Sequence, residues 1–278
     1  MEKEDILYTG ASPTSLVGSR VAELLPGNTP SHAELDILNP DTFKEFNPKV
    51  LVHFAAATNV NACEMNTDNA RQLNVVGTKN LVDYFGRRGV KIIYISTDYV
   101  FDGTAGPYDE NAVPNPINVY GRTKLEGEEA VLSHCDNAAV VRIAFPYRLS
   151  GPKSDTLRWM ITSIMEGKEI PVFDNLRANF TFIDDIARAL KILIDQDFKG
   201  VIHVTGDEIY TVYEVAMTVV DILGENFAKY VRPKHFEVSD GVAPRPLNGG
   251  LVSRYRSSLG IKMTPLEENI RRIIESQR

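Results

Sequence analysis

Tyr120 and Lys124 stand four residues apart in a stretch, 118–132, whose pattern predicts a helix. This spacing places a phenol and an ammonium one turn apart on the same helix face. A free phenol, with a pKa near ~10, exchanges protons poorly at neutral pH. A neighbouring ammonium stabilises the phenolate, so the pair suggests a proton-transfer site beside a carbonyl. Because the same spacing recurs by chance on solvated helices, the upstream sequence has to decide between the two interpretations.

Two hydroxyls end an apolar run upstream of this helix. Residues 90–97 are rich in β-branched and aromatic side chains and finish at Ser96 and Thr97, which predicts a buried parallel strand. Ligands of open α/β sheets bind outside the carboxyl ends of the strands. We therefore expect these hydroxyls to lie at a site of chemistry, rather than only to cap the turn after the strand.

The segment 9–18 follows the first predicted strand and opens a helix, which is the context of a dinucleotide-binding loop. Gly10 allows a tight turn and Gly18 allows close packing at the helix start, where free N–H groups attract a pyrophosphate. The middle glycine of the usual pattern is missing, and Pro13 removes one N–H donor. Either side-chain hydroxyls replace the missing N–H donor and the loop binds a coenzyme, or the loop is a surface turn with no affinity for a coenzyme. The expected coenzyme contacts of the loop are Gly10, Ser12, Thr14, Ser15, Leu16, Val17 and Gly18.

Strand-like runs alternate with helical patterns along the first half of the chain. The alternation predicts right-handed βαβ crossovers and a Rossmann-like, doubly wound parallel sheet of the α/β class. The predicted strands lie near 6–9, 33–37, 50–56, 91–96, 138–144 and 201–205. The predicted helices lie near 18–25, 41–46, 69–88, 118–132, 154–166, 184–194 and 212–223, with a last one after Pro265. His53 falls on a buried strand, so we expect it to be structural rather than catalytic. Trp159 has helical spacing with apolar neighbours, so we expect it in the core.

Composition bounds the class of protein. Hydrophobic residues make up 43% and charged residues 24% of the 278 residues, which is typical of a soluble globular enzyme. The formal charge of -7 disfavours a general nucleic-acid surface. Cys63 and Cys135 have no CxxC spacing, so we expect neither a disulfide framework nor a metal site. The charged start and the lack of a long apolar run predict a cytoplasmic protein that binds no membrane.

Segments along nearly the whole chain resemble one known family. The most specific are STDYVFDG at 96–103 and NVYGRTKLEGE at 118–128. Together with shorter segments, they resemble the extended short-chain dehydrogenase/reductase superfamily, and within it the dTDP-4-dehydrorhamnose reductase branch. The supporting segments are 35–37, 53–60, 73–78, 180–187, 245–248 and 259–261.

The resemblance implies a reductase of nucleotide-sugar metabolism that uses NADPH or NADH. Thr97, rather than Ser96, would be the hydroxyl of the catalytic triad. Tyr120 would deliver a proton to the sugar ketone, and Lys124 would hold the nicotinamide ribose and lower the pKa of Tyr120. The other implied coenzyme contacts are Asp36 and Ile37 beside the adenine, Ala55, Ala56 and Ala57 along the groove, and Asn74 behind it. Close packing explains the alanines equally well, and a helix-to-loop hydrogen bond explains Asn74.

The resemblance also implies two domains. Residues 1–147 would form the NAD(P)-binding Rossmann domain and 148–278 a smaller C-terminal α/β substrate-binding lobe, with some segments returning to the sheet. Arg177 and Arg245 would bind the diphosphate of the nucleotide-sugar, since guanidinium pairs bidentately with phosphate. An ion pair of Arg177 with Asp174 or Asp184 explains that residue equally well. The other implied substrate contacts are Thr97, Asp98 and Tyr99, and a homodimer is the default assembly.

Three functions stay open at this stage. The leading hypothesis is NAD(P)H-dependent reduction of a 4-keto nucleotide-sugar with Tyr120 as the proton donor. The second is a sugar-nucleotide epimerase or dehydratase that retains its NAD. The third is a cofactor-binding regulatory subunit that resembles the partner of methionine adenosyltransferase. The irregular glycine loop, Asn61 in place of an acidic residue, and 143–147 in place of a Ser-Trp pair are departures from the reductase pattern.

Overall fold

Five parallel strands form the centre of the protein in the computed structural model, which describes residues 2–238 and 242–277. The strands lie side by side, in chain order, from one edge of the sheet to the other. They are β1 (Ile6–Thr9), β2 (Val50–His53), β3 (Lys91–Thr97), β4 (Ala138–Ile143) and β9 (Gly200–His203). The Rossmann-type α/β sheet that the sequence predicts is therefore confirmed.

Successive strand residues alternate between two hydrophobic cores, one on each face of the sheet. On one face, Ile93 and Val141 pack against helices α1 (Val17–Leu24) and α7 (Ile183–Asp195). On the other face, side chains such as Ile92 and Val140 pack with α4 (Gly77–Phe85) and α5 (Val119–His134). Burial of each large aliphatic side chain contributes about 1.5–3 kcal/mol. Because both faces are covered, the strands are continuous apolar runs rather than alternating ones.

The strand expected near 33–37 is wrong. Residues 32–34 and 37–38 form turns, and the chain instead makes a one-residue parallel bridge between Asn28 and Leu7 on the outer side of β1. The carboxylate of Glu34 accepts from the N–H of Ser31 at 2.8 Å, and further local bonds of this kind follow. Such side-chain bonds to the local backbone compete with a sheet ladder, so this segment folds as turns.

The long helix expected over 69–88 is divided. It is made of α3 (Thr67–Arg71), a π-helical turn (Gln72–Val76), α4 and a short 3-10 turn (Gly86–Arg88), and α2 (Val60–Met65) precedes it. π-helical turns occur frequently at functional sites. Here the turn carries Asn74, whose side-chain oxygen accepts a hydrogen bond from the backbone N–H of Ala57 in the loop after β2.

A third hydrophobic core lies outside the sheet. Paired short strands enclose it: β5 (Pro146–Tyr147) with β8 (Thr181–Phe182), β6 (Ile170–Phe173) with β11 (Val231–Lys234), and β7 (Arg177–Ala178) with β10 (Tyr210–Thr211). Its helices are α6 (Thr156–Met165), α8 (Val212–Leu223) and α10 (Leu266–Ser276), and α9 (Arg256–Leu259) lies in the connection before α10. We propose on this basis a smaller lobe over 148–278, from which α7 and β9 return to the sheet.

Two single-residue expectations have different outcomes. His53 is buried at the end of β2, hydrogen-bonded to the hydroxyls of Thr9 at 2.6 Å and Thr78 at 3.0 Å. Burial lowers its pKa to about 3, which keeps it neutral and structural. Trp159 is not in the core: it is 42% exposed, because the opposite face of α6 supplies the buried residues. Within the described ranges, no helix has the length and apolar character needed to cross a membrane.

Candidate active site

Tyr120 lies in the first turn of α5, at the carboxyl end of the sheet. The helix begins after Asn118, whose side-chain oxygen accepts from the N–H of Gly121 at 2.8 Å and whose amide donates to the carbonyl of Pro244 at 2.8 Å. Gly121 is required here because a Cβ would stand 2.1 Å from the carbonyl oxygen of Tyr99. This close approach brings the start of α5 against the segment that follows β3.

Thr97, Tyr120 and Lys124 all line one cavity of about 740 Å³. Thr97 ends β3, and its hydroxyl donates to the carboxylate of Asp98 at 3.0 Å and accepts from the N–H of Tyr99 at 3.2 Å. Asp98 and Tyr99 line the same cavity. The structure thus brings together the three residues of the expected triad and the two that follow Thr97.

Ser96 and Thr97 have different surroundings. The Ser96 hydroxyl donates to the carboxylate of Glu128 at 2.5 Å, and both residues are buried. Glu128 also accepts two hydrogen bonds from Arg142, at 2.9 and 2.6 Å, in a buried ion pair. The Thr97 hydroxyl instead forms hydrogen bonds with Asp98 and Tyr99, and it lowers the pKa of the nearby Tyr120 phenol. Ser96 and Thr97 both line the cavity, but the Ser96 hydroxyl is bound to a buried ion pair, so Thr97 as the hydroxyl of the triad stays a prediction.

Burial, and not Lys124, is the largest influence on the pKa of Tyr120 in this structure, and the expected effect of Lys124 stays a prediction. Burial raises the pKa of the Tyr120 phenol above its ordinary value, and the Thr97 hydroxyl opposes this rise only in part. Burial also lowers the pKa of Lys124 to about 7, although Glu128 opposes that shift. The Lys124 ammonium donates to the carbonyl of Ile95 at 2.7 Å. Because the lysine is itself desolvated and loses charge near neutral pH, it does not offset the burial of the phenol.

The glycine loop forms one end of the cavity. Gly10 adopts φ +72°, and a Cβ there would lie 2.4 Å from the N atom of Ala55, so β1 and the loop after β2 touch through their backbones. Gly18 is buried in α1, close against the carbonyl of Gly10. The Ser15 hydroxyl accepts from the N–H of Gly18, in the first turn of α1, at 3.1 Å. Six of the seven loop residues line the cavity and Gly18 does not, so the coenzyme contacts of the loop stay predictions; the six are Gly10, Ser12, Thr14, Ser15, Leu16 and Val17.

Residues expected along the coenzyme divide into lining and supporting ones. Ile37, Ala55 and Ala56 line the cavity. The carboxylate of Asp36 accepts from the N–H of Leu38 at 2.9 Å, within its own loop. A hydrogen-bonded pair, Ala57 and Asn74, connects the wall formed by the loop after β2 to the π-helical turn behind it. Ala57 donates its N–H to the Asn74 side chain at 2.7 Å, and Asn74 also donates to Thr123 at 2.9 Å.

The two arginines expected to bind diphosphate have different positions. Arg177 donates to the carbonyl of Ile209 at 3.1 Å and lies 3.6 Å from the carboxylate of Glu214, so its ion pair is with neither Asp174 nor Asp184. Arg245 donates to the Asn61 side chain at 2.9 Å, and its guanidinium lies 5.8 Å from the ring centre of Tyr99.

Tyr99 connects Arg245 to the triad, because the rings of Tyr99 and Tyr120 are 5.6 Å apart, edge to face. Both diphosphate assignments stay predictions, and Arg245 is the one whose surroundings reach the cavity.

Several lining residues were not expected from the sequence. Phe145 and Pro146 form the wall where the Ser-Trp pair was expected, and Phe145 adopts φ +35°, which its residue type does not signal. Lys153 reaches the cavity from the smaller lobe. A lone lysine in a polar loop carries no sequence signal. The apolar Leu35 and the exposed His32 also line the cavity, as Ile37 does.

The fold and the site together define an extended short-chain dehydrogenase/reductase. The sequence pattern of the RmlD substrate binding domain matches residues 4–278, and the chain belongs to that family. Methionine adenosyltransferase 2 subunit beta of Danio rerio is 32% identical, over 96% of this chain and 88% of that protein.

Two solved structures have the same fold over nearly their whole length. dTDP-4-dehydrorhamnose reductase of Bacillus anthracis, in complex with NADP, superposes with a TM-score of 0.87 at 27% identity, covering 99% of this chain and 100% of that one. The dTDP-4-dehydrorhamnose reductase orthologue of Clostridium acetobutylicum gives 0.87 at 30% identity, covering 98% and 99%. The expected family is therefore confirmed.

Proposed function

We propose that this protein is an NAD(P)H-dependent reductase of a keto group on a nucleotide-sugar, similar to the 4-keto substrate of dTDP-4-dehydrorhamnose reductase. The observation that carries the proposal is the meeting of Thr97, Tyr120 and Lys124 in the cavity that begins at the glycine loop. The whole-length similarity to dTDP-4-dehydrorhamnose reductases supports it. The Bacillus anthracis enzyme was crystallised with NADP, which supports the choice of coenzyme.

The cavity fits a dinucleotide. It has the size of a small-molecule site, and the start of α1 at one end provides N–H groups for phosphates. Leu35 and Ile37 provide an apolar surface for adenine. Lys124, which also lines the cavity and is bound to the carbonyl of Ile95, would hold the nicotinamide ribose. A bound reduced nicotinamide would supply a hydride there.

The chain's own residues would complete the reduction with a proton. Thr97 and Tyr120 would hydrogen-bond the ketone oxygen, orient it and stabilise the negative charge that develops on it. Burial keeps the Tyr120 phenol protonated across the neutral range. Because an alkoxide is a stronger base than a phenolate, Tyr120 can still give its proton to that oxygen, which yields the alcohol. The raised pKa keeps the proton on Tyr120 until the alkoxide develops, and it makes the phenol a weaker acid than a free one.

The test is a direct assay of coenzyme oxidation. Purified protein is mixed with NADPH or NADH and a panel of dTDP-, UDP- and GDP-linked 4-keto sugars, and nicotinamide absorbance is followed. We expect oxidation with at least one sugar and formation of the corresponding alcohol. Protein that purifies with tightly held NAD and converts a nucleotide-sugar without net coenzyme consumption would support the epimerase or dehydratase alternative instead. No oxidation with any member of the panel would count against the reductase.

A second candidate is a cofactor-binding regulatory subunit. The observation that favours it is the similarity to methionine adenosyltransferase 2 subunit beta over 96% of the chain. The departures at 143–147 and in the glycine loop also fit a protein that binds coenzyme without turning over a sugar. Co-purification with a methionine adenosyltransferase catalytic subunit tests it. Binding that survives Tyr120→Phe, in a protein without reductase activity, would favour this candidate.

A further inference from the structure

A loop of the smaller lobe, residues 148–155, lies against the start of α1. Arg148 is nearly fully buried, and its guanidinium donates to the Ser19 hydroxyl at 3.1 Å and to the carbonyl of Leu16 at 3.5 Å. The same guanidinium donates to the carbonyl of Ser150 at 2.7 Å. These contacts connect the loop to the end of the cavity that the glycine loop forms.

The loop is also fixed from its other side. Arg158 donates to the carbonyls of Gly151, at 2.9 Å, and Lys153, and to the carboxylate of Asp155 at 2.7 Å. Gly151 adopts φ +133°, and a Cβ there would stand 2.7 Å from the guanidinium carbon of Arg148. Two arginines thus hold the loop backbone, while the side chain of Lys153 lines the cavity.

The glycine loop provides fewer phosphate ligands than the usual pattern. Pro13 has no N–H, the middle glycine is missing, and the N–H of Gly18 is already bound by Ser15. In the described part of the chain, Lys153 forms no ion pair, so its charge is available to a ligand. An ammonium opposite the start of a helix gives a phosphate a cation in addition to amide dipoles.

We propose that Lys153 binds the diphosphate of the coenzyme from the smaller lobe. It compensates for the amide donors that the irregular glycine loop lacks, and the coenzyme then contacts both lobes. This inference rests on the proposed function only in that a nicotinamide dinucleotide occupies the cavity. The contact is to the diphosphate, which NADH and NADPH share, and not to the 2′-phosphate.

The experiment measures coenzyme affinity rather than turnover. Dissociation constants of NADH and NADPH are obtained from nicotinamide fluorescence for the wild type, Lys153→Gln and Lys153→Arg. Lys168→Gln is the matched control, since Lys168 is an exposed lysine paired with Glu166 in the turn after α6. We expect Lys153→Gln to weaken both coenzymes about tenfold, as loss of a charge-assisted contact does. The arginine variant and the control should bind as the wild type does, and added salt should narrow the difference.

Unchanged affinity for both coenzymes in Lys153→Gln would overturn the inference. A loss confined to NADPH would also overturn it, because the lysine would then contact the 2′-phosphate. If the wild type binds neither coenzyme, both this inference and the proposed function fail. If it binds coenzyme through Lys153 but reduces no keto-sugar nucleotide, only the proposed function fails.

Discussion

The ammonium of Lys124 lies 4.0 Å from the ring centre of Tyr94, over the aromatic face. Tyr94 belongs to β3 and is fully buried, so the lysine is held in the wall of the sheet, between an aromatic face and the carbonyl of Ile95. A cation–π contact contributes about 0.5–2 kcal/mol, depending on how far the cation is desolvated. Here it offsets part of the cost of burying the charge.

That cost predicts how stability depends on pH. The pKa of Lys124 is about 7 in the folded protein, whereas the ordinary pKa of a lysine side chain is 10.5. Between these values the unfolded chain binds the proton and the folded one does not, so stability rises with pH over this window. Lys124→Met should lose that rise. Thermal unfolding of both proteins from pH 7 to pH ~10 checks it, and parallel profiles for the two would contradict the lowered pKa.

The hydroxyls of Ser96 and Thr97, at the end of β3, should have different functions. Thr97→Ala removes the group that interacts with Tyr120, and we expect the turnover number to fall about 10²-fold or more, as for loss of one oxyanion donor. Ser96→Ala removes a hydrogen bond to Glu128 and should reduce thermal stability while leaving turnover nearly unchanged. Steady-state kinetics with both variants distinguish the roles. The reverse ranking would show that Ser96 carries the chemistry.

Gly10 should tolerate no side chain. Gly10→Ala places a methyl group 2.4 Å from the backbone of Ala55 at φ +72°, so the variant has to move β1 or the loop after β2. Gly89→Ala is the control, because Gly89 has φ +77° but no atom within 4 Å of the added Cβ. We expect the control to lose only about 1–2 kcal/mol of stability, which is the cost of the left-handed conformation for a residue with a Cβ. Denaturant unfolding should show a larger loss for Gly10→Ala, together with weakened coenzyme binding.

Of the two arginines, Arg245 should matter more for substrate binding. Arg245→Ala removes a guanidinium stacked over Tyr99 beside Tyr120, whereas Arg177→Ala removes one that is paired with Glu214. We expect a larger increase in the KM for the nucleotide-sugar with Arg245→Ala, since a charge-assisted contact to phosphate contributes about 1.5–3 kcal/mol. Equal KM values for the two variants would contradict the prediction that Arg245 contributes more than Arg177 to substrate binding.

The elements that carry the triad could be predicted from the sequence because their signals are local. The apolar run of β3 and the N-cap and spacing of α5 are each contained in a few residues, and both elements lie where expected. The strand predicted at 33–37 is wrong because Leu35 and Ile37 give the segment an apolar, strand-like pattern. Local hydrogen bonds of its carboxylates instead determine its turns.

Other features depend on contacts between distant segments. The direction of the pKa shift of Tyr120 follows from burial, which residue spacing does not report. Lys153 is an exposed residue that belongs to no sequence motif. It lines the cavity because Arg148 and Arg158 fix the backbone of its loop by hydrogen bonds. The exposed position of Trp159 likewise depends on which face of α6 packs against the third core, the one outside the sheet.

The most direct test compares the wild type with Tyr120→Phe in two measurements on the same preparations. The first is the Kd of NADPH and NADH, and the second is the rate of coenzyme oxidation with a 4-keto nucleotide-sugar. We expect the phenylalanine variant to bind coenzyme as the wild type does and to turn over about 10²–10⁴-fold more slowly, the contribution of a general acid. A variant that oxidises coenzyme at the wild-type rate would contradict the role of Tyr120 as proton donor.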